Sequence, residues 1–281
     1  MLYPVSEVHV VLYGLDHPEC VAVGRDGTLY AGGERGQIYR VSPDGKNVKE
    51  IANTGGFCLG LTLDREENIY VCDLNRHALL KVTQHGDVSL VVDTVDGTKI
   101  RVPNFSVFDS RGNLYFSDSG EWKGGNGVIW KLSVSGKPSL FSSGPFHFTN
   151  GLALDAAEKF LYVVESNLDR VLRIAINLDG TAGATEVFVD GMARLPDGLA
   201  FDAARNLYVT TYASNCIYRV SPERKVDLLC KDEENLLLCQ PTNCAFGGPN
   251  FDQLYVSNLG RDHISVLNLR TKGQPLFVHR G

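Results

Sequence analysis

Four features are missing from this 281-residue chain, and each absence removes a class of function. No Lys/Arg-rich run occurs, and 27 basic residues stand against 33 acidic ones for a formal net charge of −6. The basic patch of a nucleic-acid binder is therefore absent, as is a polybasic membrane attachment. No apolar run approaches the roughly 18 residues of a membrane-spanning helix, and the opening MLYPVSE lacks the basic-then-apolar pattern of a secretory leader. The expectation is a soluble cytoplasmic protein without nucleic-acid or membrane partners. The seven cysteines, at positions 20, 58, 72, 216, 230, 239 and 244, include no C-x-x-C pair, which speaks against structural zinc. Most stand in apolar, strand-like runs, where cysteine behaves as a small hydrophobe. Free thiols are expected, with Cys230 and Cys239 the one pair that an oxidising compartment could join.

Helical periodicity is also missing, and a repeat stands in its place. With 43% hydrophobic and 21% charged residues the composition is globular. Six segments share an apolar triplet, a polar turn and a Leu/Ile-Tyr pair leading into more apolar residues. They align on Val23, Leu63, Phe108, Leu154, Phe201 and Phe246, at spacings of 40, 45, 46, 47 and 45. A period near 45 with four short strands per unit is the signature of a β-propeller. The first unit reads as strands over Val21–Val23, Leu29–Gly32, Gln37–Val41 and Val48–Ala52, with Asp-Gly and Asn turns between them. The expected architecture is an all-β, six-bladed propeller of four antiparallel strands per blade, one domain over residues 1–281. Either His9–Tyr13 or Pro275–His279 could supply the last strand of blade six; the N-terminal segment is the favoured one.

The residue four before each alignment point begins the innermost strand and should face the central channel. Around the ring it is Glu19, Leu59, Asn104, Asn150, Asp197 and Thr242. A single Asn or Asp at a strand start is usually a turn residue. Four oxygen donors at one equivalent position are harder to dismiss, since buried carboxylates are costly without a cation. Two carboxylates and two amides suit a hard ion, calcium first, and the lack of His or Cys among them argues against soft-metal chemistry. A second ring, three past the tyrosine of the second strand, contains Gly33, Asp73, Asp118, Glu165, Thr211 and Asn258, and is expected to sit wider at the same mouth. His17, His147 and Arg101 flank the donors. The loop Ser119–Gly127, with Trp122, is long enough to cover a substrate.

The runs HPECVAV at Glu19, VPNFSVFDSRGNLYFSD at Asn104, TNGLALD at Asn150 and LPDGLAFD at Asp197 resemble the regucalcin/gluconolactonase family across all six repeats. The resemblance implies a metal-dependent lactonase or esterase acting on a small molecule. It implies that Glu19, Asn150 and Asp197 ligate the ion, that Asn104 contacts metal or substrate, and that Asp197 is the general base or nucleophile. Calcium is the expected ion, with magnesium, manganese or zinc as alternatives. Many members have Asp where this chain has Phe105. Together with Phe57, Phe146 and Phe148, this points to a pocket less polar than a sugar lactone needs. His17, His147, Asp118 and Trp122 complete the expected substrate surroundings. LYFSDSG and FLYVVESNLDRV also look like strictosidine synthase-like propellers, which use a glutamate rather than a metal. A non-catalytic binding scaffold of the NHL-repeat type is the rival from another class.

Overall fold

The computed structural model describes residues 1–280. Among them the six repeats form six four-stranded antiparallel sheets, blades 1 to 6. Blade 1 runs from axis to rim as Cys20–Val23, Leu29–Gly32, Gln37–Val41 and Val48–Asn53, within one residue of the sequence expectation at each end. The innermost strands of blades 2 to 6 are Cys58–Leu63, Pro103–Phe108, Thr149–Leu154, Pro196–Phe201 and Pro241–Gly247. Each packs against its neighbours on both sides, the sixth against the first, so the ring closes.

The N-terminal strand Val8–Tyr13 completes blade 6, running antiparallel to His263–Asn268 with Val8 opposite Leu267 and Tyr13 opposite His263. Pro275–His279 is not a blade strand: Phe277–His279 is a single 3-10 turn against the far end of the channel.

Six apolar clusters hold the ring, one at each blade–blade interface. The repeated tyrosine explains part of this. Tyr70, Tyr162 and Tyr208 meet Phe108, Phe201 and Phe246 of the following blade edge-on, with centroids 5.1, 4.9 and 5.3 Å apart, the arrangement that the ring quadrupole favours. Side chains such as Leu29, Ile38 and Ile69 are fully enclosed, each stabilising the fold by about 1.5–3 kcal/mol. No disulfide contributes, since all seven cysteines are free. No helix of the described residues is long and apolar enough to cross a membrane.

The innermost strands of blades 2 to 6 are bulged, whereas that of blade 1 pairs in regular register. Their register slips between Cys58 and Leu61, Pro103 and Ser106, Thr149 and Leu152, Pro196 and Leu199, and Pro241 and Cys244. A bulge re-aims side chains but leaves ladder groups unpaired, and hydroxyls of the second strands take them up. Ser117 Oγ accepts from Phe105 N (3.0 Å) and donates to Asn150 O (2.8 Å) in the next blade. Thr210 does the same for Gly198 N and Thr242 O, and Ser257 for Asn243 N and Glu19 O.

Candidate functional site

Each bulge begins at the position expected to face the axis. Asn104, Asn150 and Asp197 sit second in their strands, and Glu19 immediately precedes Cys20–Val23. All four line one cavity of about 480 Å³ at one end of the channel, together with Leu59 from the same ring. Thr242, the sixth member, does not line the cavity; its hydroxyl donates to Glu19 O at 2.6 Å. Glycine follows two of the donors for a packing reason. A Cβ at Gly151 would overlap the Asp197 carbonyl of the next blade, and one at Gly198 would overlap the backbone at Thr242 and Asn243.

Two serines orient the amides. Asn104 Nδ2 lies 3.1 Å from Ser119 Oγ, and Asn150 Nδ2 lies 3.3 Å from Ser166 Oγ. Ser119 donates its one proton to Thr149 O (2.5 Å) and Ser166 donates to Pro196 O (2.7 Å). Each serine must therefore accept from its amide, because a hydroxyl has a single hydrogen to give. That turns both amide oxygens toward the cavity.

The two carboxylates are poorly compensated. Glu19 is buried and its Oε2 has no hydrogen-bond partner. Burial pushes its carboxyl well above the usual range and the Asp197 charge adds to this, against a smaller opposing effect of the Thr242 hydroxyl. Asp197 is likewise pushed well up by burial, against a smaller opposing effect of the Asn150 amide. No Lys or Arg lines the cavity. Two acids and two oriented amide oxygens, with an orphaned carboxylate oxygen and no protein cation, form a donor set that fits a hard divalent ion. Among the described residues no group of three or more His, Cys, Asp or Glu side chains is arranged to hold a metal ion.

The structure redistributes the other expected residues. Trp122 does reach the cavity, half-exposed, with its ring edge-to-face on Phe148 at 4.6 Å. Phe57 and Phe148 also line it, beside Leu74, Leu195 and Leu259. Phe146 instead lies in the core between blades 3 and 4. Phe105 faces a separate apolar cavity at the far end of the channel, because the neighbour of an axis-facing residue on an extended strand points elsewhere. The apolar pocket is present, but its wall is not built from Phe105. His17 is exposed beside Asp16 and Glu34, outside the cavity. Arg101 is exposed with Nη1 3.9 Å from Glu121. His147 lines an adjoining pocket.

Asp118 and its ring are a correction by one residue. Asp118 is buried, and it accepts from Arg101 N, Val102 N, Gly120 N and Trp130 Nε1 at 2.8 to 3.3 Å. Asp73 likewise holds Phe57 N, Glu165 holds His147 N and Asn258 holds Cys239 N. These four side chains pin the loops entering the innermost strands of blades 2, 3, 4 and 6. The residues facing the mouth are one further on. Among Glu34, Leu74, Ser119, Ser166, Tyr212 and Leu259, four line the cavity and Ser119 orients Asn104. A slip of one in a strand's register exchanges its faces. The slip hid Tyr212, whose hydroxyl accepts from Gln240 Nε2 at 3.0 Å. Burial and then the Glu19 and Asp197 charges push its phenol above the ordinary value.

Comparison with known proteins follows this geometry. The family model described as SMP-30/Gluconolactonase/LRE-like region matches residues 18–259. The chain is 27% identical over 214 residues to Protein STRICTOSIDINE SYNTHASE-LIKE 6 of Arabidopsis thaliana, covering 69% of this chain and 56% of that one. It is 25% identical over 217 residues to lactonase drp35 of Staphylococcus aureus, covering 72% of this chain and 66% of that one. It thus spans between half and two thirds of these relatives' lengths. Regucalcin from Agrobacterium tumefaciens, a calcium-binding protein, superposes with a TM-score of 0.77 over 99% of both chains at 16% identity, a likeness of fold.

Proposed function

Since the chain belongs to the SMP-30/gluconolactonase/LRE-like family, we propose that its channel cavity hydrolyses a lactone or related ester with the help of a bound divalent cation, calcium first, and that residues 1–281 act as one catalytic domain. The observation that carries this reading is the set Glu19, Asn104, Asn150 and Asp197 at equivalent strand positions in one cavity, with a carboxylate oxygen left unpartnered. The lactonase among the relatives supports the substrate class, and the calcium-binding regucalcin supports the ion.

When bound, the ion supplies Lewis-acid polarisation of the substrate carbonyl. The chain supplies the rest. Ser119 and Ser166 fix the amide oxygens, so the donor set is pre-oriented. Asp197 takes a proton from water as the water oxygen bonds to the carbonyl carbon, or its carboxylate attacks that carbon and water releases it afterwards. The acyl C–O bond breaks, and the departing oxygen gains a proton to give a hydroxy acid. Tyr212 is placed to donate that proton, since Gln240 already donates to its oxygen. The wall of Phe57, Leu59, Leu74 and Leu259 excludes water from the substrate body and favours a less polar lactone than a sugar acid's.

The test combines metal analysis of dialysed protein with hydrolysis of an aliphatic and aromatic lactone panel. The expected result is one calcium per chain and hydrolysis that is lost to chelator and restored by calcium. No divalent ion and no turnover across the panel would overturn the reading, in favour of a metal-free propeller of the strictosidine synthase-like or scaffold kind.

A further inference from the structure

The main cavity is lined by carboxylates and no cation, but a cationic pocket adjoins it. Next to the main cavity, and sharing Trp122 and Leu195 with it, lies a pocket of about 290 Å³. Lys123 and Arg194 line it, both exposed. Neither has a carboxylate within 4 Å among the described residues. His147 adds a ring nitrogen to the same lining. The one acid there, Asp169, has an oxygen committed to Leu195 N at 2.8 Å. The pocket therefore offers an ammonium, a guanidinium and an imidazole against one partly occupied carboxylate, on a protein whose net charge repels anions in general.

We infer that the substrate carries an anionic group, a carboxylate, sulfate or phosphate, seated between Lys123 and Arg194 while its apolar body lies under Trp122 and Phe148 in the main cavity. The inference rests on the hydrolytic reading of that cavity and names the substrate class more closely. Guanidinium and ammonium donors hold such groups by charge-assisted hydrogen bonds. Because Lys123 and Arg194 lie outside the donor set, they set affinity for the ester and leave the chemical step alone.

The test compares phenyl acetate with two anionic esters, 4-acetoxybenzoate and mono-phenyl glutarate, which place a carboxylate on the leaving-group and acyl sides. Expected for the wild-type protein is a kcat/KM about tenfold higher for one anionic ester, carried by KM and falling as salt is added. The K123Q/R194Q double variant should lose that preference and keep its phenyl acetate kinetics. A second readout needs no turnover. Trp122 is half-exposed whereas Trp130 is buried, so 4-hydroxybenzoate should quench the fluorescence at lower concentration than phenol does, and the double variant should erase the difference. Equal KM and equal quenching, or a preference that survives in the double variant, would overturn the inference; phenyl acetate turnover in the same experiment would leave the hydrolytic reading standing. Selective quenching by the carboxylate without turnover of any ester would support the pocket and sink hydrolysis.

Discussion

The two ends of the channel are made by the same six strands, yet they are opposites. The mouth has two carboxylates, two amides and a tyrosine around an open cavity of about 480 Å³. The far end is a narrow apolar cavity of about 70 Å³, walled by residues such as Val21, Leu61 and Phe246 and covered by the C-terminal segment. That segment is tied down by His279 Nε2 to Val23 O (3.1 Å), Gln274 Nε2 to Leu154 O (2.9 Å) and Arg280 Nη1 to Glu158 Oε1 (2.6 Å). The polar donors thus gather at the mouth, in the bulges of blades 3, 4 and 5 and just before the regular innermost strand of blade 1. Below it the strands revert to packing. Function and stability should accordingly separate along one axis.

The sharpest way to break this division is Asp197→Asn, which keeps the shape of the mouth and removes its proposed base or nucleophile. Hydrolysis of a confirmed lactone should fall by about 10²–10⁴-fold in kcat, while thermal unfolding in chelator stays cooperative. A wild-type rate from this variant would remove Asp197 from the chemistry.

Metal should stabilise the mouth next most strongly. At a hundredfold excess over Kd, a ligand that binds only the folded state adds about 2.7 kcal/mol, and Glu19→Gln should abolish the calcium-dependent rise in melting temperature. The same variant tests the buried acid. The folded-state carboxyls of Glu19 and Asp197 lie well above their ordinary values, pushed there chiefly by burial. Their contribution is therefore fully favourable only at pH below the unfolded carboxylate range, and it is lost as pH rises toward the folded value. In chelator, wild-type stability should decline over that window relative to Glu19→Gln; parallel pH curves for the two proteins would contradict the assignment.

Orientation of the amides is a smaller effect. Ser119→Ala or Ser166→Ala leaves every proposed ligand in place but frees an amide to rotate, so calcium affinity by titration calorimetry should weaken about 10- to 100-fold. An unchanged affinity would mean that the bulge alone sets the amide. The smallest effect belongs to the other end. Val278→Ala trims a buried contact in the blade 1–2 cluster and should cost on the order of 1 kcal/mol by denaturant unfolding, with lactone kinetics unaltered.

Much of this division is legible in the sequence. The blade strands are visible because alternation, β-branched residues and Asp-Gly turns repeat six times, and a repeated error would have to occur six times over. The axis-facing ring is legible for the same reason: one position, read in six copies, gathers Glu19, Asn104, Asn150 and Asp197. What escapes is whatever depends on a single residue of register. Asp118 and its equivalents look like a second ring because they are polar and repeated, but their acidity serves to pin loop amides, a local task that pattern alone does not distinguish from a functional one. Tyr212 and the serines stand one step further, in a ring too varied, from Glu34 to Leu259, to stand out as a repeat. Phe105 misleads because sequence adjacency to Asn104 is not spatial adjacency in an extended strand.

Closure of blade 6 by Val8–Tyr13 on His263–Asn268 also sets an order in time. At synthesis rates of about 5–20 residues per second, the first strand emerges roughly ten seconds or more before its partner. During that interval it has no sheet to join, and Glu19 and Asp197 have no common channel to face. The ring is a fold of high sequence separation, which slows its completion. The acidic pair at its mouth is brought together only as the last blade arrives, so the charge repulsion that the site contains is imposed late, on a scaffold whose other interfaces are already formed.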